Sequence, residues 1–194
     1  MDKRPVGVFD SGMGGLTVMR EIMNLLPNED IVYFGDTRNT PYGDKSYEQL
    51  VSFAKKIVDF LMKFDCKAFA VACNTISANC LDEVKKMVSI PLVDVVSPSI
   101  VEVSDLAKRN VLIFATKANI KTKMHEKLLN QNRDDLEIFN KACPLFVNIV
   151  EEGFSETDIP YIATKEYYKE FENQGIDTLL LACTHYPHIL NSIK

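Results

Sequence analysis

The stretch that decides the fold is residues 70–75, which read Ala70-Val71-Ala72-Cys73-Asn74-Thr75. An apolar run that begins at residue 68 changes abruptly here into a thiol, an amide and a hydroxyl. Apolar residues then recur at helical spacing over residues 77–88. A buried parallel strand followed by a helix is typical of this pattern, because such strands are continuous apolar runs. We therefore expect Cys73 at the carboxyl end of a strand, beside the start of a helix.

A second stretch repeats this arrangement near the end of the chain. It reads Leu179-Leu180-Leu181-Ala182-Cys183-Thr184-His185 and places Cys183 after another apolar run. Each cysteine also follows an earlier strand candidate at a similar distance, residues 6–9 for Cys73 and residues 111–114 for Cys183. This partial repeat of a strand candidate followed by a strand-end cysteine suggests two related halves whose cysteines flank one cleft.

Strand and helix patterns alternate along the whole chain, which is typical of parallel sheets with helices on both faces. Long helices are predicted over residues 47–64, 118–130 and 157–171. The pattern restarts after Ser97-Pro98-Ser99, a candidate hinge, so we expect one domain over residues 1–97 and a second over residues 98–194. The predicted fold is α/β: two pseudo-symmetric parallel-sheet domains, with the active site in the cleft between them, beyond the carboxyl ends of the strands.

Bulk composition narrows the class of protein. With 194 residues, 46% of them hydrophobic and 25% charged, the chain has the composition of an ordinary soluble globular protein. A net charge of -5 without a basic stripe argues against nucleic-acid binding. The apolar runs are too short to span a bilayer or to act as a signal peptide. We expect a cytoplasmic protein with neither nucleic acid nor membrane as a partner.

Five cysteines, an odd number without a CxxC pair, favour free thiols over disulfides and zinc sites, so no metal is expected. A thiol at a helix amino terminus has its thiolate form favoured by the helix dipole. Cys73 and Cys183 have this position and polar neighbours, which favours a functional role. Cys66, Cys80 and Cys143 are expected to be buried as small hydrophobic residues.

The glycine-rich turn after the first strand, Asp10-Ser11-Gly12-Met13-Gly14-Gly15, is less specific. It has neither a Walker lysine nor the dinucleotide fingerprint, and Asp10 would repel a phosphate. A carboxylate ligand, or simply a tight turn, suits it better.

Two thiols across a cleft suit the inversion of a carbon centre by proton transfer, which needs a base on one face and an acid on the other. Nothing in the chain calls for a pyridoxal lysine or a metal, so no cofactor is expected. His185 could share a proton with a thiol, whereas His125 is expected on a helix surface. Asp10, Asp36 and Glu152 could titrate with the site, with Glu151 as a solvated neighbour of Glu152.

Six motifs follow one another over the whole chain: VFDSGMGGL from Val8, YFGD from Tyr33, PYG from Pro41, VACNT from Val71, ACPLF from Ala142 and CTHYP from Cys183. In their order and spacing, these motifs together resemble those of the glutamate racemases. The resemblance implies a cofactor-independent enzyme that interconverts L- and D-glutamate, supplies D-glutamate for bacterial peptidoglycan and forms a homodimer. It also implies that Cys73 takes the α-proton of D-glutamate and Cys183 that of L-glutamate.

Further roles are implied by the same resemblance. Asp10 and His185 would assist the two cysteines, and Asp36 and Glu152 would be supporting carboxylates. The resemblance also implies substrate contacts, mostly hydrogen bonds that point the α-hydrogen at a thiol. The residues implied are Asp10, Ser11, Pro41, Tyr42, Gly43, Asn74, Thr75, Thr116, Asn119 and Thr184.

Two features depart from the family pattern. The usual Gly-Thr-x-x-Thr run is Ala115-Thr116-Lys117-Ala118-Asn119 here, with Asn119 expected to donate a hydrogen bond to a substrate carboxylate. Family members also continue beyond the CTHYP motif and return to the first domain, a segment that we expect to be missing after Lys194. The alternatives are therefore a related racemase that acts on aspartate, or a truncated relative that binds a ligand without turnover.

Overall fold

The computed structural model describes residues 2–194, which form two parallel β-sheets flanked by helices. The first sheet has the strand order β2-β1-β3-β4. Its central strand β1 pairs in parallel with β2 and β3, so that Val8 lies opposite both Tyr33 and Ala70. The elements of this half are β1 (Val6–Asp10), α1 (Leu16–Leu25), β2 (Ile31–Gly35), α2 (Tyr47–Leu61), β3 (Ala68–Val71), α3 (Asn74–Met87) and β4 (Leu92–Asp94).

The second sheet has the strand order β6-β5-β7, again with every pair parallel. Helix α4 (Val96–Leu106) leads into it from β4. The α/β class and the two parallel sheets predicted from the sequence are therefore confirmed. The elements of this half are β5 (Asn110–Ala115), α5 (Lys117–Thr122), α6 (Met124–Asn132), β6 (Glu137–Ala142), α7 (Pro144–Glu151), α8 (Ile159–Tyr168), β7 (Thr178–Ala182) and α9 (Leu190–Ile193).

Side chains of alternate strand residues point to opposite faces of a sheet. Because most of these strands are largely apolar, both faces of each sheet are apolar, and helices cover both. In β5, Val111 and Ile113 join the core cluster that includes Ile100 of α4 and Leu129 of α6. Leu112 and Phe114 of the same strand belong to the opposite cluster with α7 and α8. Fully buried side chains of this size each contribute roughly 1.5–3 kcal/mol to folding.

One predicted helix is divided in the structure. The helix predicted over residues 118–130 is broken by Lys123, whose left-handed φ of 52° separates α5 from α6. The hinge candidate at Ser97-Pro98-Ser99 lies in the first turn of α4, where Asp94 accepts hydrogen bonds from the Val96 and Ser97 amides. The division into domains at residues 97 and 98 stays a prediction.

None of the helices within residues 2–194 combines the length and the apolar composition that crossing a membrane requires.

Asp177 holds the start of β5 beside the start of β7, the strand that leads to Cys183. Its carboxylate accepts hydrogen bonds from the backbone amides of Lys108, Arg109 and Asn110 at 2.7–3.0 Å. Desolvation opposes the charge, but these hydrogen bonds and that of Thr178 lower the pKa of Asp177 from 3.8 to about 2. The contact therefore stabilises the fold above pH 4 and is lost as the pH falls towards 2.

Asp177→Ala is expected to lower the free energy of unfolding by about 1–2 kcal/mol at pH 7, because three amides lose a charged acceptor. Urea denaturation followed by circular dichroism measures the loss. Asp134→Ala, at an exposed carboxylate, is the matched control and should unfold like the wild type. A difference from wild type that stays constant from pH 7 to pH 2 would contradict the proposed contact.

Candidate active site

A small enclosed space between the two sheets collects both of the singled-out thiols. Cys73 reaches it from the end of β3, and Cys183 reaches it from the end of β7. Its volume is about 10 Å³, room for about one water molecule. The residues that line it are Ser11, Tyr42, Gly43, Cys73, Asn74, Thr75, Thr116, Val147, Cys183, Thr184 and His185.

Cys73 is buried at the amino end of α3, where it occupies the N-cap position. Complete burial raises the pKa of this thiol well above its usual value, and the charge of Asp10 adds to the shift. Hydrogen bonds from the Ile76 amide and Ser11 act in the opposite direction but do not outweigh burial. The helix start therefore favours the Cys73 thiolate as expected, but desolvation in this closed site is the larger effect and keeps the pKa raised.

Cys183 lies beside a histidine–carboxylate pair. Its Sγ is 3.7 Å from His185 Nδ1, and His185 Nε2 is 2.5 Å from Glu151 Oε1. Burial alone would lower the pKa of His185, but the hydrogen bonds with Cys183 and Glu151 raise it to about 10. The pKa of Glu151 is lowered, chiefly by the same hydrogen bond to His185. The histidine is therefore a buried imidazolium that donates towards the sulfur and the carboxylate.

Asp10 does not line the cavity, but it connects the halves that do. Its side chain is fully buried, and Oδ2 accepts hydrogen bonds from the amides of Gly12 and Gly15 at 3.2 and 2.9 Å. Thr184 Oγ1, from the other half, donates to its Oδ1 at 3.3 Å. Of the two interpretations left open for the glycine-rich segment, the geometry favours the tight turn, since Asp10 itself binds the turn amides.

Asp36 acts through Tyr42. The Tyr42 hydroxyl donates to Asp36 Oδ2 at 2.5 Å, and Asn39 Nδ2 donates to both carboxylate oxygens. Burial and this carboxylate raise the pKa of Tyr42, so the phenol stays protonated. Asp36 therefore lies one residue away from the cavity. Pro41 likewise lines an adjoining small space with Gly43 and Thr116, not the cavity that holds the thiols.

The structure places Glu151 at the site and Glu152 outside it. Glu152 is exposed, whereas Glu151 accepts from the Met13 amide at 3.1 Å in addition to its contact with His185. The assignment of Glu152 as a supporting carboxylate is therefore off by one position. Helical spacing was the missing signal: Val147 lines the cavity, and residue 151 lies on the same face of α7, four residues later.

Asn119 lies away from the cavity, and the expectation for His125 was wrong. Asn119 is buried and does not line the cavity, because its amide is hydrogen-bonded to Asn79 and to the Ala182 carbonyl. His125 is also buried, not on a helix surface, and its Nε2 lies 3.4 Å from Asn74 Oδ1. Burial lowers the pKa of His125 to about 4, so it is neutral at pH 7. No pattern in the sequence distinguished its buried helix face.

A larger space, about 510 Å³, lies beside the second sheet, between α8, α9 and β7. It contains neither thiol, and its polar groups do not converge on a reactive atom, so it is not the candidate site. Among residues 2–194, no group of three or more His, Cys, Asp or Glu side chains has an arrangement that could hold a metal ion.

Comparisons with known proteins agree with this arrangement. A family model described as Asp/Glu/Hydantoin racemase matches residues 6–194. A glutamate racemase of Sulfurihydrogenibium sp. is 40% identical over 192 residues, which are 98% of this chain and 74% of that protein. A glutamate racemase of Lactococcus lactis subsp. lactis is 40% identical over 195 residues, 100% of this chain and 72% of that protein.

Solved structures give the same result. The crystal structure of glutamate racemase from Francisella tularensis in complex with D-glutamate superimposes with a TM-score of 0.92 at 41% identity, covering 100% of this chain and 73% of that one. A Picrophilus torridus aspartate racemase, at 16% identity and a TM-score of 0.68, shares the fold. The chain therefore belongs to the Asp/Glu/Hydantoin racemase family.

Proposed function

We propose that the protein is a cofactor-independent glutamate racemase. The observation that carries the proposal is that two thiols, Cys73 and Cys183, come from the ends of strands in different sheets and line one enclosed cavity. A base and an acid on opposite sides of a bound amino acid are what inversion of the α-carbon requires. The relatives at about 40% identity are glutamate racemases, and D-glutamate is bound in the Francisella structure. Both observations support glutamate as the proposed substrate.

In the proposed L-to-D direction, the Cys183 thiolate takes the α-proton and becomes a thiol. The electron pair of the broken C–H bond stays on the substrate, delocalised into its α-carboxylate. Cys73 then gives its own proton to the opposite face and becomes a thiolate. The protonated His185, held by Glu151, lies beside Cys183 and stabilises its thiolate form. The raised pKa of Cys73 keeps that sulfur protonated and ready to act as the acid.

The substrate would be oriented by the polar groups around the thiols. Hydroxyl and amide groups of Ser11, Asn74 and Thr75 reach the cavity from the first half, and those of Thr116 and Thr184 reach it from the second. Asp10 and Asp36 position this set through Thr184 and Tyr42. As part of the same proposal, the enzyme acts as a homodimer in a bacterial cytoplasm and supplies D-glutamate for peptidoglycan.

Circular dichroism of the purified protein with L-glutamate tests the activity. The optical signal should decay to zero as the mixture approaches equal amounts of the two enantiomers, whereas L-aspartate should keep its signal. Loss of the aspartate signal alone would favour an aspartate racemase. No decay with either substrate, together with measurable glutamate binding by calorimetry, would favour a binding protein without turnover.

Cys73→Ser and Cys183→Ser are each expected to reduce racemisation by a factor of at least about 10², because a serine hydroxyl is far less acidic than a thiol and transfers the proton poorly. The polarimetric rate measures the loss. Cys66→Ser is the matched control, since the thiol of Cys66 donates to the Leu61 carbonyl and a hydroxyl can replace it there. Similar losses in all three variants would indicate general damage to the fold.

Glu151→Gln should move the alkaline limb of the pH–rate profile for L-glutamate. In the wild type, activity falls as His185 deprotonates near its pKa of about 10, because the neutral imidazole no longer stabilises a thiolate. Without the Glu151 charge the imidazolium loses its proton at lower pH, so the limb should shift down by about one pH unit or more. Glu152→Gln, the same change at an exposed neighbour, should leave the profile unchanged. Equal shifts in both variants would refute the assignment.

A further inference from the structure

The carboxamide of Asn119 forms a bridge between the two halves. Its Oδ1 accepts from Asn79 Nδ2 at 2.8 Å, and its Nδ2 donates to the Ala182 carbonyl at 3.2 Å. Asn79 Nδ2 also donates to the Thr75 carbonyl at 2.7 Å. Because carbonyl oxygens only accept, each amide nitrogen must face its carbonyl, and the orientation of both carboxamides follows. Both polar atoms of the buried Asn119 side chain are thus occupied within the protein.

This bridge connects the two thiol-bearing strand ends. Thr75 lies two residues after Cys73, in the first turn of α3, and Ala182 immediately precedes Cys183. Three hydrogen bonds therefore link the backbone beside one sulfur to the backbone beside the other. Neither asparagine lines the cavity between the thiols, so the bridge lies behind the cavity wall.

The start of α3 has a particular need for such an anchor. Cys80, the residue after Asn79, has φ −142° and ψ 24°, values that interrupt the helix. The short segment before it, residues 74–79, is therefore not held in line by the continuous helix that follows. The contact of Asn79 with Asn119 attaches this segment to the second half at its last residue before the interruption.

We propose that Asn79 and Asn119 are a pair of positioning residues that set the distance between the two thiols, and that Asn119 is not a substrate ligand. The role rests on the proposed racemase function. A displacement of about 1 Å in a catalytic group costs up to about 10²-fold in rate, while Ser11, Thr116 and Thr184, which line the cavity and lie outside residues 74–79, keep their places around the substrate. Loss of the bridge therefore lowers kcat and leaves KM nearly unchanged.

Racemisation kinetics of Asn79→Ala, Asn119→Ala and the double variant test this role. Each single variant is expected to lower kcat about tenfold with KM within about twofold, and the double variant to lose no more than the worse single one, since both changes break the same bridge. Asn173→Ala, at an exposed asparagine, is the matched control and should behave as the wild type. Thermal unfolding identifies a variant that fails to fold.

Asn79→Ala decides the question if Asn119→Ala does not fold, because alanine has the highest helix propensity and suits this position in α3. A wild-type kcat in Asn79→Ala overturns the proposal. So does a raised KM with unchanged kcat in Asn119→Ala, the result expected of a substrate ligand. If the wild-type chain does not racemise glutamate, the proposed function and this role are both overturned. If the wild type is active and the variants match it, only the positioning role is overturned.

Discussion

The buried carboxylate of Asp10 is the interaction on which the site depends. A charge with no exposed surface is tolerated only when hydrogen bonds replace the water that it has lost. Those bonds come from the turn amides of Gly12 and Gly15 and, across the interface, from the Thr184 hydroxyl. Close approach of the halves is part of the same constraint, because a Cβ at Gly14 would lie 2.6 Å from Thr184 Oγ1. One carboxylate thus shapes the first turn and brings the second sheet against it.

The two thiols occupy different electrostatic environments despite their matching places in the fold. Cys73 is near the negative Asp10 and is fully buried, so its neutral form is favoured. Cys183 is near an imidazolium whose charge is maintained by Glu151. The two sulfurs therefore lie beside charges of opposite sign. For a two-base reaction, the raised pKa of Cys73 suits this thiol to the role of the acid.

The sequence predicted those features that local patterns determine. Continuous apolar runs predicted β3 and β7, and polar residues directly after them predicted which side chains meet at the strand ends. Features that depend on contacts between halves were missed. Asn119 was assigned to the substrate because its partners, Asn79 and Ala182, are distant along the chain. The break at Lys123 was also missed, because a lysine in the left-handed region has no local signal comparable to glycine.

The closed cavity, too small for an amino acid, indicates which contacts must change when a substrate enters. The hydroxyls of Thr75 and Thr116 are 3.2 Å apart across the interface, and both line the cavity. A substrate carboxylate can accept from both hydroxyls, so their mutual hydrogen bond is exchanged for two others at little net cost. The amides of Asn79 and Asn119 have no such replacement, because they lie behind the cavity wall and face backbone carbonyls. Hydrogen bonds at the cavity surface can therefore be replaced by bonds to the ligand, while those behind the cavity wall keep the distance between the two thiols.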